Sequence, residues 1–418
     1  MQRLWAAVAY GWACIFVLSA QQSDPPPAET RAGQIESGRA IKAHTLEPEE
    51  PLKGERIVKR IIDNPFVKTI TNEQSGFGLK LGGLITGSGM AAGPQYARHD
   101  LAKDTITFRA WASISTSKFW LARAELNMPH LAGNWLFAEF SATHRDFPSI
   151  DYFGPGAHSD PRTETTFSIR DNWLAGRAGV HFLSKFRLGG IGRFLDENAG
   201  PGGGDDSSQA IYNVFPAGAT PGIGMKTRFA QAGSFLEFDY RDSPGEAHRG
   251  GYYQIRYSDY SDLSHDRFSF DRVDADVQQY IPFFNDTHVI ALHGRATFTD
   301  PHSGNAVPFY MQPYLGGPDT LRGFEPFRFF DNNTLVLNGE YRWRVYQGMD
   351  AALFVDAGQV FRQWEKINLR APRTSYGFGM RFLSASAVFL RLDVGFSQEG
   401  FQIWFKFGNV FGTANEIY

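Results

Sequence analysis

Arg322, Glu340 and Asp356 are the residues whose types and spacing could do chemistry together. A guanidinium is planar and carries five donors, so one Arg can hold two carboxylates at once. Glu340 and Asp356 lie on two segments, TLVLNGEYRWRVY and LFVDAGQVF, separated by a turn near Gly348. A hairpin centred on Gly348 puts the two carboxylates directly opposite each other, an arrangement that destabilises a sheet unless a cation intervenes. Arg322 precedes them in YLGGPDTLRGF, where Gly316, Gly317 and Gly323 permit the tight turns needed to fold it back. The chemistry on offer is electrostatic locking. One version is a lid lock that sets the position of the loop. The other is a buried salt bridge that fixes the loop during folding.

Other candidate chemistry falls away. GPGGG at 200–204 lacks the following Lys-Ser/Thr of a phosphate loop and reads as a flexible outer loop. The 11 His residues show no HExxH and no close cluster, and the single Cys excludes a multi-cysteine zinc site, so no metal or cofactor is expected. Asp274 and Asp276 read as solvated lining rather than an acid-base pair. No Ser-His-Asp arrangement can be argued, and the chain is not expected to be an enzyme. A net charge of -3 supplies no field for nucleic acid.

The elements that must position the three charges alternate with a period of two. In TLVLNGEYRWRVY, Leu335, Leu337, Tyr341, Trp343 and Val345 share one face, while Asn338, Glu340, Arg342 and Arg344 share the other. In YYQIRYSDY, Tyr253, Ile255 and Tyr257 oppose Gln254, Arg256 and Ser258. FDRVDADVQQYI sets Val273, Ala275, Val277 and Ile281 against Arg272, Asp274, Asp276 and Gln278. GFQIWFKFG sets Phe401, Ile403, Phe405 and Phe407 against Gln402 and Lys406. Several segments run ten residues or more, the length a tilted strand needs to cross a bilayer. Aromatics are 15% of the 418 residues, 37 of them Phe, and are expected largely on outward faces, as in barrel girdles. About sixteen such segments fit between residues 76 and 411. The fold expected is therefore all-β, a sixteen-stranded antiparallel transmembrane β-barrel. Short connections such as LSKF, FND and QG alternate with long ones at 149–162, 196–221 and 300–332. With the first strand running outward, all three long connections fall on the outer side, and the sixth outer loop carries Arg322.

Ahead of the barrel, residues 1–20 have the layout of a secretory signal peptide: Arg3, an apolar run from Leu4 to Leu18, then Ser19 and Ala20. Residues 21–54, with Pro25, Pro26 and Pro27, read as a disordered linker. Residues 55–75 are expected to hold a short amphipathic helix and a lead-in, with Ile57, Val58, Ile61 and Ile62 at helical spacing. Residues 412–418 read as a C-terminal extension.

LRGF at Leu321, Arg322, Gly323 and Phe324 resembles the loop motif of the BamA/TamA outer-membrane assembly superfamily, the bacterial surface antigen barrel. FVDAG, with Phe354 and Gly358 flanking Asp356, resembles that family's motif on the next strand, and GEYR resembles the strand before it. YFGPGAHSD at 152–160 and the ending GFQIWFKFGNVF are weaker matches. The resemblance spans about 76–411. It implies an inward-folded sixth outer loop with Arg322 bound to Asp356 of the thirteenth strand, and Glu340 as the acidic partner on the twelfth. It also implies an outer-membrane location, an integral monomer in the lipid bilayer, unfolded outer-membrane proteins as clients, and a role in protein insertion or translocation. Residues 21–75 do not fit a complete POTRA module, so a member without these modules is expected. The terminal aromatics Phe405, Phe407 and Phe411 are expected to serve recognition by the assembly machinery. The alternative functions are a passive channel or structural barrel, and a lipid-modifying hydrolase barrel, which the missing triad disfavours. The pairing of first and last strands discriminates: an open seam, favoured by the glycines of GFGLKLGGL, goes with insertion, a closed one with a passive channel.

Overall fold

The computed structural model describes residues 75–203, 210–284, 286–368, 370–383, 388–408 and 411. The expected signal peptide, linker, amphipathic helix and C-terminal extension lie outside the described residues.

Sixteen antiparallel strands form one sheet in sequence order. They are β1 (Gly76–Gly82), β2 (Ala91–Leu101), β3 (Ile106–Ser115), β4 (Trp120–Leu131), β5 (Leu136–Tyr152), β6 (Thr165–Phe182), β7 (Phe186–Pro201) and β8 (Lys226–Asp239). The second half comprises β9 (Gly250–Asp262), β10 (Phe270–Phe283), β11 (His288–Pro301), β14 (Asn333–Tyr346), β15 (Met349–Phe361), β16 (Arg373–Leu383), β17 (Val388–Ser397) and β18 (Gly400–Phe407). Between β11 and β14, the loop carries its own two-stranded ribbon, β12 (Tyr314–Leu315) with β13 (Phe329–Phe330). The sixteen-strand all-β expectation is met, and the sixth outer loop lies between β11 and β14.

Alternation assigns the faces. On β10, Arg272, Asp274, Asp276 and Gln278 are buried while Val277 and Ile281 are exposed. On β9, Gln254, Arg256 and Ser258 are buried while Ile255 and Tyr257 are exposed. Polar in and apolar out is what lipid demands, because charge belongs where water or a partner can reach it. Asp274 and Asp276 are not solvated lining, however. Asp274 accepts from Arg256 at 2.8 Å and Thr297 at 2.8 Å, and Asp276 accepts from Arg295 at 3.0 Å.

The expected outward placement of the aromatics needs correction. Tyr152, Phe167, Phe229, Tyr260, Phe270, Phe309 and Phe330 belong to one buried apolar cluster that joins the strands to residues of the sixth outer loop. The loop makes a dry core of the inner faces it covers, and burying aromatic rings there removes large apolar areas from water.

The terminal strand also ends early. β18 stops at Phe407, not near residue 410, and Gly408 takes φ +91°, a left-handed conformation that turns the chain. Phe411 is consequently off the strand and buried against His293, with ring centroids 4.7 Å apart.

Among the described residues the barrel is nearly closed, with its two edge strands unjoined. β1 pairs with β2 and β18 with β17, but no ladder joins β1 to β18 among the described residues. β1 has 7 residues and β18 has 8, against 14 for β14. A tilted strand needs about 9–11 residues to span a bilayer, so the seam strands are the short ones.

Leu337 sits mid-strand on the outward face of β14, 52% exposed. Leu337→Arg is expected to destabilise the barrel by about 2–4 kcal/mol when urea unfolding is followed in liposomes. A loss near zero would place this face away from the bilayer core.

Candidate functional site

The three charged residues meet in the lumen. Arg322 donates from Nη1 to Glu340 Oε2 at 2.9 Å, from Nη2 to Asp356 Oδ1 at 2.7 Å and from Nε to Asp356 Oδ2 at 3.0 Å. Its backbone N–H also donates to Asp356 Oδ2 at 3.1 Å. All three side chains are at most 1% exposed. The Phe354 ring lies under the guanidinium, 3.4 Å from centroid to Cζ, which adds a cation–π contact. Burial opposes the Arg322 charge, but Asp356 and Glu340 outweigh it and push its pKa up.

The carboxylates are not directly opposite. Asp356 pairs with Asn338, and Glu340 pairs with Phe354. The hairpin turns at Gln347–Gly348, with a register shift between Arg344 and Tyr346, instead of pivoting on Gly348 itself. Glu340 and Asp356 are therefore diagonal neighbours on one face, close enough for one guanidinium to span and far enough to lessen repulsion.

Sequence reasoning missed the rest of the network. Glu340 also accepts from Arg342 Nε at 3.1 Å and from Arg381 Nη2 at 2.8 Å, and Arg381 Nη1 donates to Asp393 at 2.6 Å. Asp356 also accepts from Asn338 Nδ2 at 2.8 Å and Ser375 Oγ at 3.1 Å. The polar faces of β16 and β17 carried a signal: RFL and RLD each place an Arg inward. Their register to Glu340 could not be read locally.

A second set of contacts ties the loop to the last strands. Asp319 pairs with Lys406 of β18 and with Arg391 of β17, the latter at 2.6 Å. Arg391 also donates to the Pro318 carbonyl at 2.9 Å, and Trp404 Nε1 of β18 donates to the Arg322 carbonyl at 2.7 Å. Arg328 in the same loop donates to Glu399 at 2.8 Å and to Ser159 Oγ at 2.7 Å. Ser159 belongs to YFGPGAHSD, so that segment is a contact surface for the loop.

Close approach explains the glycines. A Cβ on Gly323 would lie 2.5 Å from the Phe396 carbonyl oxygen, and one on Gly395 would lie 2.2 Å from the Arg322 carbonyl oxygen. Backbone meets backbone there, with nothing free to yield. A Cβ on Gly358 would lie 2.9 Å from Leu315. Leu321 and Phe324 are buried in an apolar cluster with Leu315, Phe329, Val336 and Val360. Phe405 is exposed on β18, Phe407 is half-buried beside it, and Phe411 is in the lumen, so the three terminal aromatics do not form one surface.

Arg322→Ala leaves two buried carboxylates short of their shared cation. It is expected to cost several kcal/mol and to lower the temperature of heat-modified migration on gels. Unchanged migration would remove the lock from the account. Burial disfavours the Asp319 charge, but Lys406 and Arg391 outweigh it and hold the carboxyl at about 2. An unfolded Asp titrates near about 3.9, so this group stabilises the fold fully above that value. The contribution is lost as pH falls from about 4 to about 2. Asp319→Asn is expected to be less stable at pH 7 and to lose less stability over that acid window. A variant with the wild-type acid profile would contradict this assignment.

Residues 205–411 match the model of the Omp85 superfamily domain. No curated protein matches the chain. Among solved structures, BamA from Haemophilus ducreyi lacking POTRA domains 1-3 is similar at TM-score 0.58 and 15% identity, over 81% of this chain and 70% of that one. CdiB from Escherichia coli is similar at TM-score 0.51 and 12% identity, over 80% of this chain and 62% of that one. At such identities the likeness is one of fold. The chain thus has the sixteen-stranded barrel fold of these structures, and the stretch that holds the Arg322 lock is the one that matches the Omp85 superfamily domain.

Proposed function

We propose that the barrel inserts or translocates proteins at the outer membrane, and that the seam between β1 and β18 is its working edge. The observation that carries this reading is that β1 and β18, both short, have no ladder between them among the described residues. An edge strand presents free N–H and C=O groups, which template the addition of another strand. In lipid those groups cost several kcal/mol each when unpaired, so a client strand that pairs with them is stabilised by doing so. Seven and eight residues are too few to span a normal hydrocarbon core, so the bilayer thins at this line. Gly76, Gly78 and Gly82 weaken β1 further and favour exchange of its partner.

The lock has a part in this. Arg322 and Asp319 hold the loop in the lumen and hold β17 and β18 against it, so the last strands keep their shape without β1. Clients are unfolded outer-membrane proteins, and the barrel works as a monomer. A passive channel would need a lumen free for solute, whereas here the sixth outer loop packs into it.

Depletion of the gene, followed by profiling of outer-membrane proteins, is expected to lower the level of at least one other barrel protein. An unchanged profile would sink the reading. A disulfide engineered across the seam, one Cys in β1 and one in β18, is expected to reproduce the depletion, with recovery on reduction. Full function of the locked barrel would exclude the seam.

A further inference from the structure

A cavity of about 120 Å³ opens on the inner faces of β4 to β9. It lies apart from the loop lock. Four guanidiniums line it: Arg123, Arg177, Arg193 and Arg256, with Glu125 and Glu139 as the lining carboxylates. Asn127 and Ser141 add neutral donors.

The guanidiniums are unequally paired. Arg123 pairs with Glu125 at 2.8 Å, but Arg109 shares that carboxylate at 3.2 Å. Arg177 reaches Glu139 at 3.4 Å and Glu237 at 3.3 Å, and Arg187 takes the same two. Arg256 pairs with Asp274 at 2.8 Å. Of the four guanidiniums that line the cavity, Arg123, Arg177 and Arg256 each have a carboxylate within ion-pair distance, and Arg193 has none among the described residues.

Arg193 is the one left over. It has no hydrogen bond and no ion pair among the described residues, and its Nε is sealed from solvent without a partner. The next inward carboxylate on β7, Glu197, is four residues on and acts on Arg193 through space, without a hydrogen bond or ion pair. A half-buried guanidinium costs free energy unless something pairs with it. A cavity of this size, well above the roughly 10–15 Å³ that a single water needs, has room for one tetrahedral oxyanion. Guanidinium forks match the oxygens of such an ion two at a time.

We infer that this cavity is an oxyanion site for inorganic phosphate or an ion of its class, with Arg193 as the principal donor and Arg123, Arg177 and Arg256 completing the cradle. The site is independent of the insertion reading. Its occupant gives Arg193 the hydrogen-bonded counter-charge it lacks and braces the wall from β4 to β9.

The test is calorimetric titration of the full chain in detergent with inorganic phosphate, at constant ionic strength with chloride as the exchanged ion. Wild type is expected to show saturable binding, and Arg193→Gln to weaken it at least tenfold. Arg170→Gln, an exposed residue paired with Asp146 outside the cavity, is expected to bind as wild type does. Arg193→Lys keeps the charge but loses the fork, and is expected to fall between. Heat-modified migration checks that each variant is folded. No saturable heat in wild type overturns the proposal, whether or not the variants fold. Binding by Arg193→Gln within twofold of wild type overturns it as well.

Discussion

A buried positive charge governs this barrel. Arg322 cannot remain in a dry lumen without its carboxylates, and Glu340 and Asp356 cannot remain there without a cation. The mutual requirement fixes the loop that bears Arg322 onto the wall that bears the acids. The lock then spreads: Glu340 recruits Arg342 and Arg381, and Arg381 recruits Asp393. Each member satisfies the next, which is how a polar network in low dielectric avoids stranding a charge. Close backbone contact at Gly323 and Gly395 is a consequence, since the loop must lie flat on β16 and β17 for the guanidinium to reach.

The seam depends on the same loop. A barrel normally closes by pairing its first and last strands, and here no such ladder is present among the described residues. β18 is held instead by contacts from inside, through Trp404 to the Arg322 carbonyl and Lys406 to Asp319. A strand braced from its inner face can leave its edge unpaired and still keep its place. Loop position and seam geometry are therefore two readings of one set of interactions.

Much of the architecture was legible in the residues. Strict alternation in segments such as FDRVDADVQQYI states which side chains face water-like surroundings and which face lipid, because a strand has no other way to separate them. Sixteen segments and the alternation of short and long connections then follow from counting. The group of Arg322, Glu340 and Asp356 was legible because two inward acids on neighbouring strands need a cation. The register was not. Asp356 opposes Asn338 rather than Glu340, since a shift between Arg344 and Tyr346 moves the hairpin and no residue in the turn announces it. The aromatics misled for another reason. An inward Phe and an outward Phe look alike until one knows that a loop covers the inner face. Phe411 likewise looked like a strand end, until the left-handed Gly408 turned it inward.

By itself, the chain determined the class of fold, the faces of its strands and the identity of the locking charges, all of which follow from local periodicity and pairwise charge. Tertiary structure alone decided which strands meet Arg322 beyond those two acids, where the aromatics lie, and that no ladder joins β1 to β18 among the described residues. It also left Arg193 without a hydrogen bond or ion pair among the described residues, although the sequence supplies 44 acidic residues. Those outcomes turn on contacts between residues far apart in sequence, 87 positions for Asp319 and Lys406 and 169 for Arg328 and Ser159. No local pattern encodes such distances, because only closure of the sheet around the loop sets them.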